Sequence, residues 1–386
     1  MSSDVPEGWS VKSLGEIADL IMGQSPPSSA VAEAGVGLPF IQGNAEFGAR
    51  HPTPRFVAST TPKVAQKGDI LISVRAPVGE VNVAESPLCI GRGVGGIRAK
   101  DCNPDFLFYA VGGLSRTLAR LSQGSTFDAI NGKELRTIEI FVPPLEEQRR
   151  IAEVLRSVDE VLSLVDQKAR QAESALSAYS AEAFTNAVVD DGSGLPLEDL
   201  LSHIIDYRGV PPPKASAGVP LLTAKNVRFG YLDPEPREFI AEQDYGSWMR
   251  RGLPTAGDVM FTTEAPLGNV AAFPAYRAAL GQRTLTLRPK RDCLTPNYLK
   301  WLLLSPNAQA LIQRHATGST AKGIKQSTFR KLRFNVPTLG EQERVGEACE
   351  AIWDAVVSAR DQMSIMRRMR AMLSDDLLSG RVRVPA

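Results

Sequence analysis

The sequence predicts an α+β fold, in which two duplicated mixed α/β domains are separated by a long antiparallel two-helix coiled coil with pseudo-two-fold character. Three features predict it. Val142-Pro-Pro-Leu-Glu-Glu-Gln148, near the middle of the 386 residues, returns near the end as Val336-Pro-Thr-Leu-Gly-Glu-Gln342. An ordered set of shorter motifs precedes each copy. After each copy, apolar residues alternate at spacings of four and three, which is the seam of a coiled coil.

The shorter motifs pair in order. Asn44 and Phe47-Gly48 match Asn226 and Phe229-Gly230, and Lys67-Gly-Asp-Ile70 matches Ala256-Gly-Asp-Val259. Ala76-Pro-Val-Gly79 matches Ala265-Pro-Leu-Gly268, and Asn103-Pro104 matches Thr295-Pro296. Gly124-Ser-Thr126 and Ile130 match Gly318-Ser-Thr320 and Ile324. The offset drifts from about 182 to about 194 residues, far longer than the roughly 20–50 residues of a solenoid repeat. The chain therefore divides into a domain over 1–141, a long helix over 142–190, a second domain over 191–335 and a second long helix over 336–386.

The seam of the first helix reads Ile151, Leu155, Val158, Leu162, Val165, Ala169, Ala172, Leu176, Tyr179 and Ala183. That of the second reads Val345, Cys349, Ile352, Val356, Ala359, Met363, Met366, Arg370, Leu373 and Leu377, with Arg370 the interruption. About 40 residues of helix span roughly 60 Å, and one apolar stripe that long needs a partner in water. The partner is the other helix; the alternative is that each packs on its own domain. Gly340, where the first copy has Glu146, is expected to fray the second helix's N-terminus.

In the globular parts, 69–74, 258–263 and 284–287 read as strands, being β-branched or alternating runs that follow turns. Pro104–Leu121 and Pro296–Arg314 read as helices, and Asp190-Asp-Gly-Ser-Gly194 as the linker between halves.

Composition is that of an ordinary soluble protein, 43% hydrophobic and 23% charged. No apolar run reaches the roughly 18–20 residues of a membrane span and no signal pattern opens the chain, so a cytoplasmic location is expected. Cys89, Cys102, Cys293 and Cys349 are scattered singly, which fits reduced thiols. With only three histidines, no metal site is expected. Net charge is +1, yet residues 195–335 carry 19 basic and 11 acidic residues, enough to follow a phosphate backbone.

No catalytic constellation emerges. Gly91-Arg-Gly-Val-Gly-Gly96 spells Gly-x-Gly-x-x-Gly but does not open a helix. A Walker loop and Gly-x-Ser-x-Gly are absent, and the Asp69 and Glu80 pair lacks a following lysine. What remains is polar recognition chemistry in loops. The first copy offers Gln24, Ser25, Gln42, Asn44, Arg50, His51, Arg55, Arg75, Arg92, Ser125 and Thr126. The second offers Tyr207, Arg208, Lys214, Lys225, Asn226, Arg228, Tyr231, Arg237, Arg283, Ser319, Thr320 and Lys322. Arginine reads guanine and asparagine or glutamine reads adenine, each through two hydrogen bonds. Lysine, serine, threonine and tyrosine hold phosphates.

The opening Pro6-Glu-Gly-Trp9 with Leu14-Gly-Glu-Ile17, the Gly-Asp-Ile/Val strand, Gly-Ser-Thr, and the Pro-x-Leu-x-Glu-Gln entry to each long helix resemble the specificity subunits of type I restriction-modification systems. The likeness spans nearly the whole chain. It implies two target-recognition domains held apart by paired helices, no catalytic site, and binding of a bipartite asymmetric double-stranded DNA target. It also implies two methyltransferase (modification) subunits as partners, with restriction/translocase subunits joining through the complex. S-adenosylmethionine, ATP and Mg would then sit on those partners and none on this chain. Glu146, Glu147, Arg149, Arg150, Glu153, Glu160, Arg344, Arg367 and Arg368 are expected on the docking faces of the helices.

Two other classes stay open. One is an enzyme, a nuclease or a stand-alone methyltransferase with a recognition domain attached, which methyl transfer to duplex DNA without partners would reveal. A protein-binding adaptor would show no DNA affinity, whereas phosphate contacts make log K fall steeply with log salt. If the helices set half-site spacing, inserting seven residues between Lys168 and Ala169, and seven between Gln362 and Met363, keeps both seams in register. The roughly 10 Å of added rise should widen the gap in the methylated motif by about three base pairs. An unchanged gap would show that the helices do not set it.

Overall fold

The computed structural model describes residues 5–114, 118, 129–189, 191–207, 211–318 and 322–384. The chain forms two compact units, one of Met1–Leu164 with Met363–Ala386 and one of Val165–Gln362.

In the first unit, strands β1 (Ala18–Met22), β2 (Leu38–Ile41), β3 (Ile70–Ser73), β4 (Val81–Val83), β5 (Leu88–Ile90) and β6 (Val94–Ala99) precede helix α1 (Pro104–Gly113). Four of them make an antiparallel sheet in the order β1-β6-β3-β4, while β2 and β5 pair in parallel in a second sheet. All four residues of β3 are buried, the apolar Ile70, Leu71 and Ile72 and also Ser73, whose hydroxyl donates to Pro77 O (2.7 Å). Helix α1 begins at Pro104, where Asn103 Oδ1 accepts from Phe106 N–H at 2.9 Å; proline at the first position and an asparagine cap are what a helix start favours. Its Phe106, Leu107 and Val111 are fully buried with Ile70, Ile72 and Ile97 of the sheet. Of the expected extension to Leu121, Leu118 is helical, while 115–117 and 119–121 lie outside the described residues.

The long helix α2 runs Leu145–Ala183, and its start belongs to the first unit. The second unit repeats the plan. Strands β7 (Leu201–Asp206), β8 (Val219–Leu222), β9 (Val259–Thr263), β10 (Leu267–Ala272), β11 (Ala279–Leu280) and β12 (Thr284–Pro289) give a sheet ordered β7-β12-β9-β10, with β8 and β11 parallel. The repeat seen in sequence is thus a repeat of topology. Helices α3 (Pro296–Leu304) and α4 (Pro306–Arg314) replace the single helix expected there. Pro306 pushes Ser305 to extended backbone, φ −61° and ψ 147°, and Ser305 Oγ then caps α4 by accepting from Ala308 N–H at 3.2 Å.

The second long helix, α5, runs Leu339–Leu378. Within the first unit the helices run antiparallel: Glu147 of α2 pairs with Arg383 just beyond α5 (2.6 Å), and Asp159 pairs with Arg370 (3.0 Å). Within the second unit Glu173 pairs with Arg360 (2.6 Å), and Leu176 shares a core with Cys349, Trp353 and Val356. The helices therefore pair, as expected, and also pack on the sheet domains; they are not independent helices each held by its own domain alone. Every seam position is buried or half-buried. Arg370 interrupts the seam because it has its own partners, the Asp159 carboxylate and the Tyr109 ring, whose centroid is 5.7 Å away. Gly340 does not fray α5, because the next residue closes the turn: Glu341 Oε2 accepts from Thr338 N–H (3.1 Å) and Oγ1–H (2.8 Å). This is a capping arrangement.

Glu147, expected on a docking face, is instead buried, accepting from Trp9 Nε1–H (3.0 Å) and from the Arg383 guanidinium.

Two predictions follow from this packing. Leu155 is fully buried and Val158 half-buried, so Leu155→Asp should cost about 3–5 kcal/mol in urea unfolding and Val158→Asp distinctly less; equal costs would contradict the packing. The Arg383 guanidinium, hydrogen-bonded to Glu147, holds that carboxyl below its ordinary value against an opposing effect of burial. A lowered folded value contributes stability above the unfolded carboxyl range and loses it as pH falls through the folded value. Glu147→Gln should therefore flatten the acid limb of the stability curve below about pH 5; an unchanged slope would refute the pairing.

Candidate nucleic-acid interface

In the first unit the loops after β1, β2 and β5 meet. Gln24 N–H donates to Ile90 O (2.9 Å) and Gly91 N–H to Ile41 O (2.8 Å). Side chains tie them further: Ser25 Oγ–H donates to Gln42 Oε1 (3.1 Å), and Arg92 N–H donates to Ser25 Oγ (3.2 Å). The Gly-x-Gly-x-x-Gly run serves this approach. A Cβ on Gly91 would lie 2.7 Å from Gln42 Oε1, and one on Gly93 2.5 Å from Gln42 O. Gln24, Ser25, Gln42 and Arg92 thus form one polar cluster, with Gln24, Gln42 and Arg92 exposed. Arg55 and Arg75 are exposed too.

Other candidates have structural work. Arg50 ion-pairs with Asp105 and stacks on Phe108 at 4.6 Å, and the His51 ring bonds Val83 O at 2.9 Å. Asn44 opens the short turn Asn44–Glu46 and is half-buried.

In the second unit Asn226 is buried and its amide fully engaged, accepting from Thr223 N–H (3.0 Å) and donating to Asp233 O and Pro236 O (3.1 and 3.2 Å). Tyr207 is buried; its hydroxyl donates to Gly252 O (2.9 Å) and accepts from Arg251 N–H (3.0 Å). Neither is available to a base, which corrects their place among the readers. Lys214 pairs with Glu238, Arg228 with Asp233, Arg237 with Glu235 and Arg283 with Glu264. Lys225, Tyr231 and Lys322 are exposed. Several of the candidate cations of 195–335 thus have an acidic partner within the same segment. Such surface pairs are worth about 0–1 kcal/mol each, so a polyanion can displace them. Ser125, Thr126, Arg208, Ser319 and Thr320 lie outside the described residues.

The duplicated motifs themselves are clamps, which sequence reasoning passed over. Gln148 Oε1 accepts from Asn103 N–H (2.8 Å) and its Nε2–H donates to Pro143 O (2.8 Å). Gln342 Oε1 accepts from Thr295 N–H (2.9 Å) while Nε2–H donates to Cys293 O and Pro337 O (2.8 and 2.9 Å). Asp69 of the Gly-Asp-Ile motif holds Arg98 through both carboxylate oxygens (2.8 Å each) and accepts from Gln66 N–H (2.7 Å). Asp258 does the same with Arg288 (3.0 and 2.7 Å) and Thr255 N–H (2.8 Å). Asp69 is a turn residue whose carboxylate is engaged by Arg98 and by Gln66 N–H. The signal was the identity of these residues in both copies.

Among the described residues no cluster of three or more histidine, cysteine or acidic side chains could hold a metal ion, and no helix is long and apolar enough to cross a membrane. Burial pushes the Cys102 thiol up to about 11 and the Cys349 thiol up to about 12, which keeps both protonated and unreactive at neutral pH.

The type I restriction enzyme MjaIX specificity subunit of Methanocaldococcus jannaschii is 32% identical over 198 residues, 48% of this chain and 45% of its own length. The MjaVIII specificity subunit of the same organism is 23% identical over 403 residues, covering 98% of this chain and 94% of that one. The chain spans less than half the length of two of the curated relatives it matches, 41% and 45%. The crystal structure of the type I restriction-modification S subunit from M. genitalium superposes with a TM-score of 0.63 at 14% identity, covering 98% of each chain, a likeness of fold. The type I restriction modification DNA specificity domain matches residues 6–174 and 252–355, and the chain belongs to that family.

Proposed function

We propose that this chain is a non-catalytic subunit that recognises a bipartite, asymmetric double-stranded DNA target and scaffolds methyltransferase and restriction subunits. The observation that carries it is the pattern of divergence between two units of one topology. Their shared residues, Gln148 and Gln342 or Asp69 and Asp258, are buried clamps. Their loop residues at matching positions differ: exposed Gln42 stands where the second unit has half-buried Thr223, and exposed Arg75 where it has half-buried Glu264. Two rigid frames with different loop chemistry suit two unlike half-sites. S-adenosylmethionine, ATP and Mg then act on the partner subunits.

Exchanging residues 1–140 for those of a relative should change one half-site of the methylated motif and leave the other intact, read by methylation-sensitive sequencing of the host genome. A change in both half-sites, or in neither, would sink the modular reading.

A further inference from the structure

Among the described residues only Ala265 and Arg283 adopt positive φ without being glycine, at +46° and +65°. The φ > 0 region is costly for such residues and is populated where surrounding structure holds it in place. Ala265 follows Glu264, and Arg283 Nε lies 3.0 Å from Glu264 Oε1. The two unusual backbone positions therefore fall at one ion pair.

Three loops lock that pair. Thr263 N–H donates to Arg283 O (3.0 Å), Ile324 N–H donates to Thr263 O (2.9 Å), and Glu264 bridges to Gly323. A Cβ on Gly323 would come within 3.1 Å of Glu264 Cβ, so the loops are in contact. The side chains stay open, 57% exposed for Arg283 and 47% for Glu264, at the mouth of a cavity of about 320 Å³ that Thr284, Thr317 and Lys325 also line. No second ion pair of either residue is found among the described residues. The first unit differs at both places. Gly93, whose O accepts from Val74 N–H as Arg283 O does from Thr263 N–H, stands for the arginine, and Arg75 stands for the glutamate. Fold alone does not require the pair.

We infer that Glu264 and Arg283 together read a single G·C base pair of the half-site contacted by the second unit, an inference that rests on the DNA-recognition reading above. With Nε held by the carboxylate, the two terminal guanidinium nitrogens supply donors and Glu264 supplies an acceptor beside them. The order donor, donor, acceptor complements guanine N7 and O6 followed by cytosine N4–H on the major-groove edge. An A·T pair presents acceptor, donor, acceptor there and does not fit. The exposed ion pair is weak, so its side chains rearrange onto a base pair at little cost.

The test uses the full chain in its complex with methyltransferase subunits, carrying Glu264→Ala or Arg283→Gly. Glycine accepts the +65° backbone without strain, so the second variant spares the fold. Methylated motifs are read genome-wide, and duplexes carrying each base pair at each position are titrated. Both variants should relax the same single G·C position, losing roughly five- to hundredfold discrimination, while the other half-site stays unchanged in the same reads and shows that the complex has assembled. The double variant should be relaxed at that same position at least as far as either single one, because each side chain contacts a different base of the pair. Relaxation at two different positions, an A·T requirement at the shared position, an unchanged motif, or a uniform loss of affinity across all sequences would each overturn the inference. A wild-type complex with no motif at all would instead sink the recognition reading, before any variant is made.

Discussion

A glutamine amide fixes where each long helix begins, and the placement of everything attached to that helix depends on it. Gln148 joins the first turn of α2 to the segment that caps α1, and Gln342 joins the first turn of α5 to the segment that caps α3. Both side chains are buried, where a missing hydrogen bond costs about 1–3 kcal/mol. A helix's direction is set by its first turn, so an amide bonded on both sides aims the helix relative to the sheet domain. The preceding glutamate is used differently in each unit. Glu147 anchors Trp9 and Arg383, whereas Glu341 caps its own helix through Thr338. The clamp is held in common and the reinforcement is local.

Long helices gain little from propensity alone, so their stability comes from the apolar face. Burial along the seam is uneven in a way that follows from this. Ile151 and Leu155 near the start of α2 are fully buried in the first core, and Leu176 near its end is buried in the second, while Val158, Leu162 and Val165 are half-buried. Where a sheet domain lies under the helix pair, three elements share one core; outside those cores Ala169, Ala359 and Met363 are still buried, while Val158, Leu162 and Val165 are only half-buried. Arg370 is tolerated in the seam because a carboxylate and an aromatic face meet its guanidinium. Without them its burial would carry an uncompensated charge.

The helix pair was legible in the sequence because a 4-3 repeat is a local signal that burial cannot easily contradict. The strands at 70–73 and 259–263 were legible for the same reason, as apolar runs after a Gly-Asp turn. The break between α3 and α4 was written in Ser305-Pro306 but was outweighed by the apolar pattern across it. At the candidate site, residue type alone was ambiguous. Asn226, Tyr207 and Arg50 have the side chains of base or phosphate readers, and the structure spends them on Asp233 O and Pro236 O, Gly252 O and Asp105 respectively. Those partners lie 7 to 55 positions away in sequence, so whether each side chain is free is a tertiary property. Glu264 is not among the recognition candidates that residue type picks out, and its pairing with Arg283, 19 residues on, has no motif to announce it.

The duplication supplies an internal control that a single domain lacks. Many of the shared clamp bonds end on backbone atoms. Gln148 accepts from Asn103 N–H, Gln342 from Thr295 N–H, Asp69 from Gln66 N–H and Asp258 from Thr255 N–H. A backbone N–H is present in every residue but proline, so these attachments survive any other substitution of the residues they hold. Asn103 and Thr295 differ, as do Gln66 and Thr255, and the clamps are the same. Loop side chains that take no part in the clamps are released from the demands of the fold. Arg75 and Glu264 reverse charge at one position, and Gly93 and Arg283 differ in size by a whole side chain at another, without altering the strand order around them. A frame held through backbone atoms can therefore keep its geometry while its exposed chemistry changes, which is the physical condition for two halves of one chain to contact different sequences.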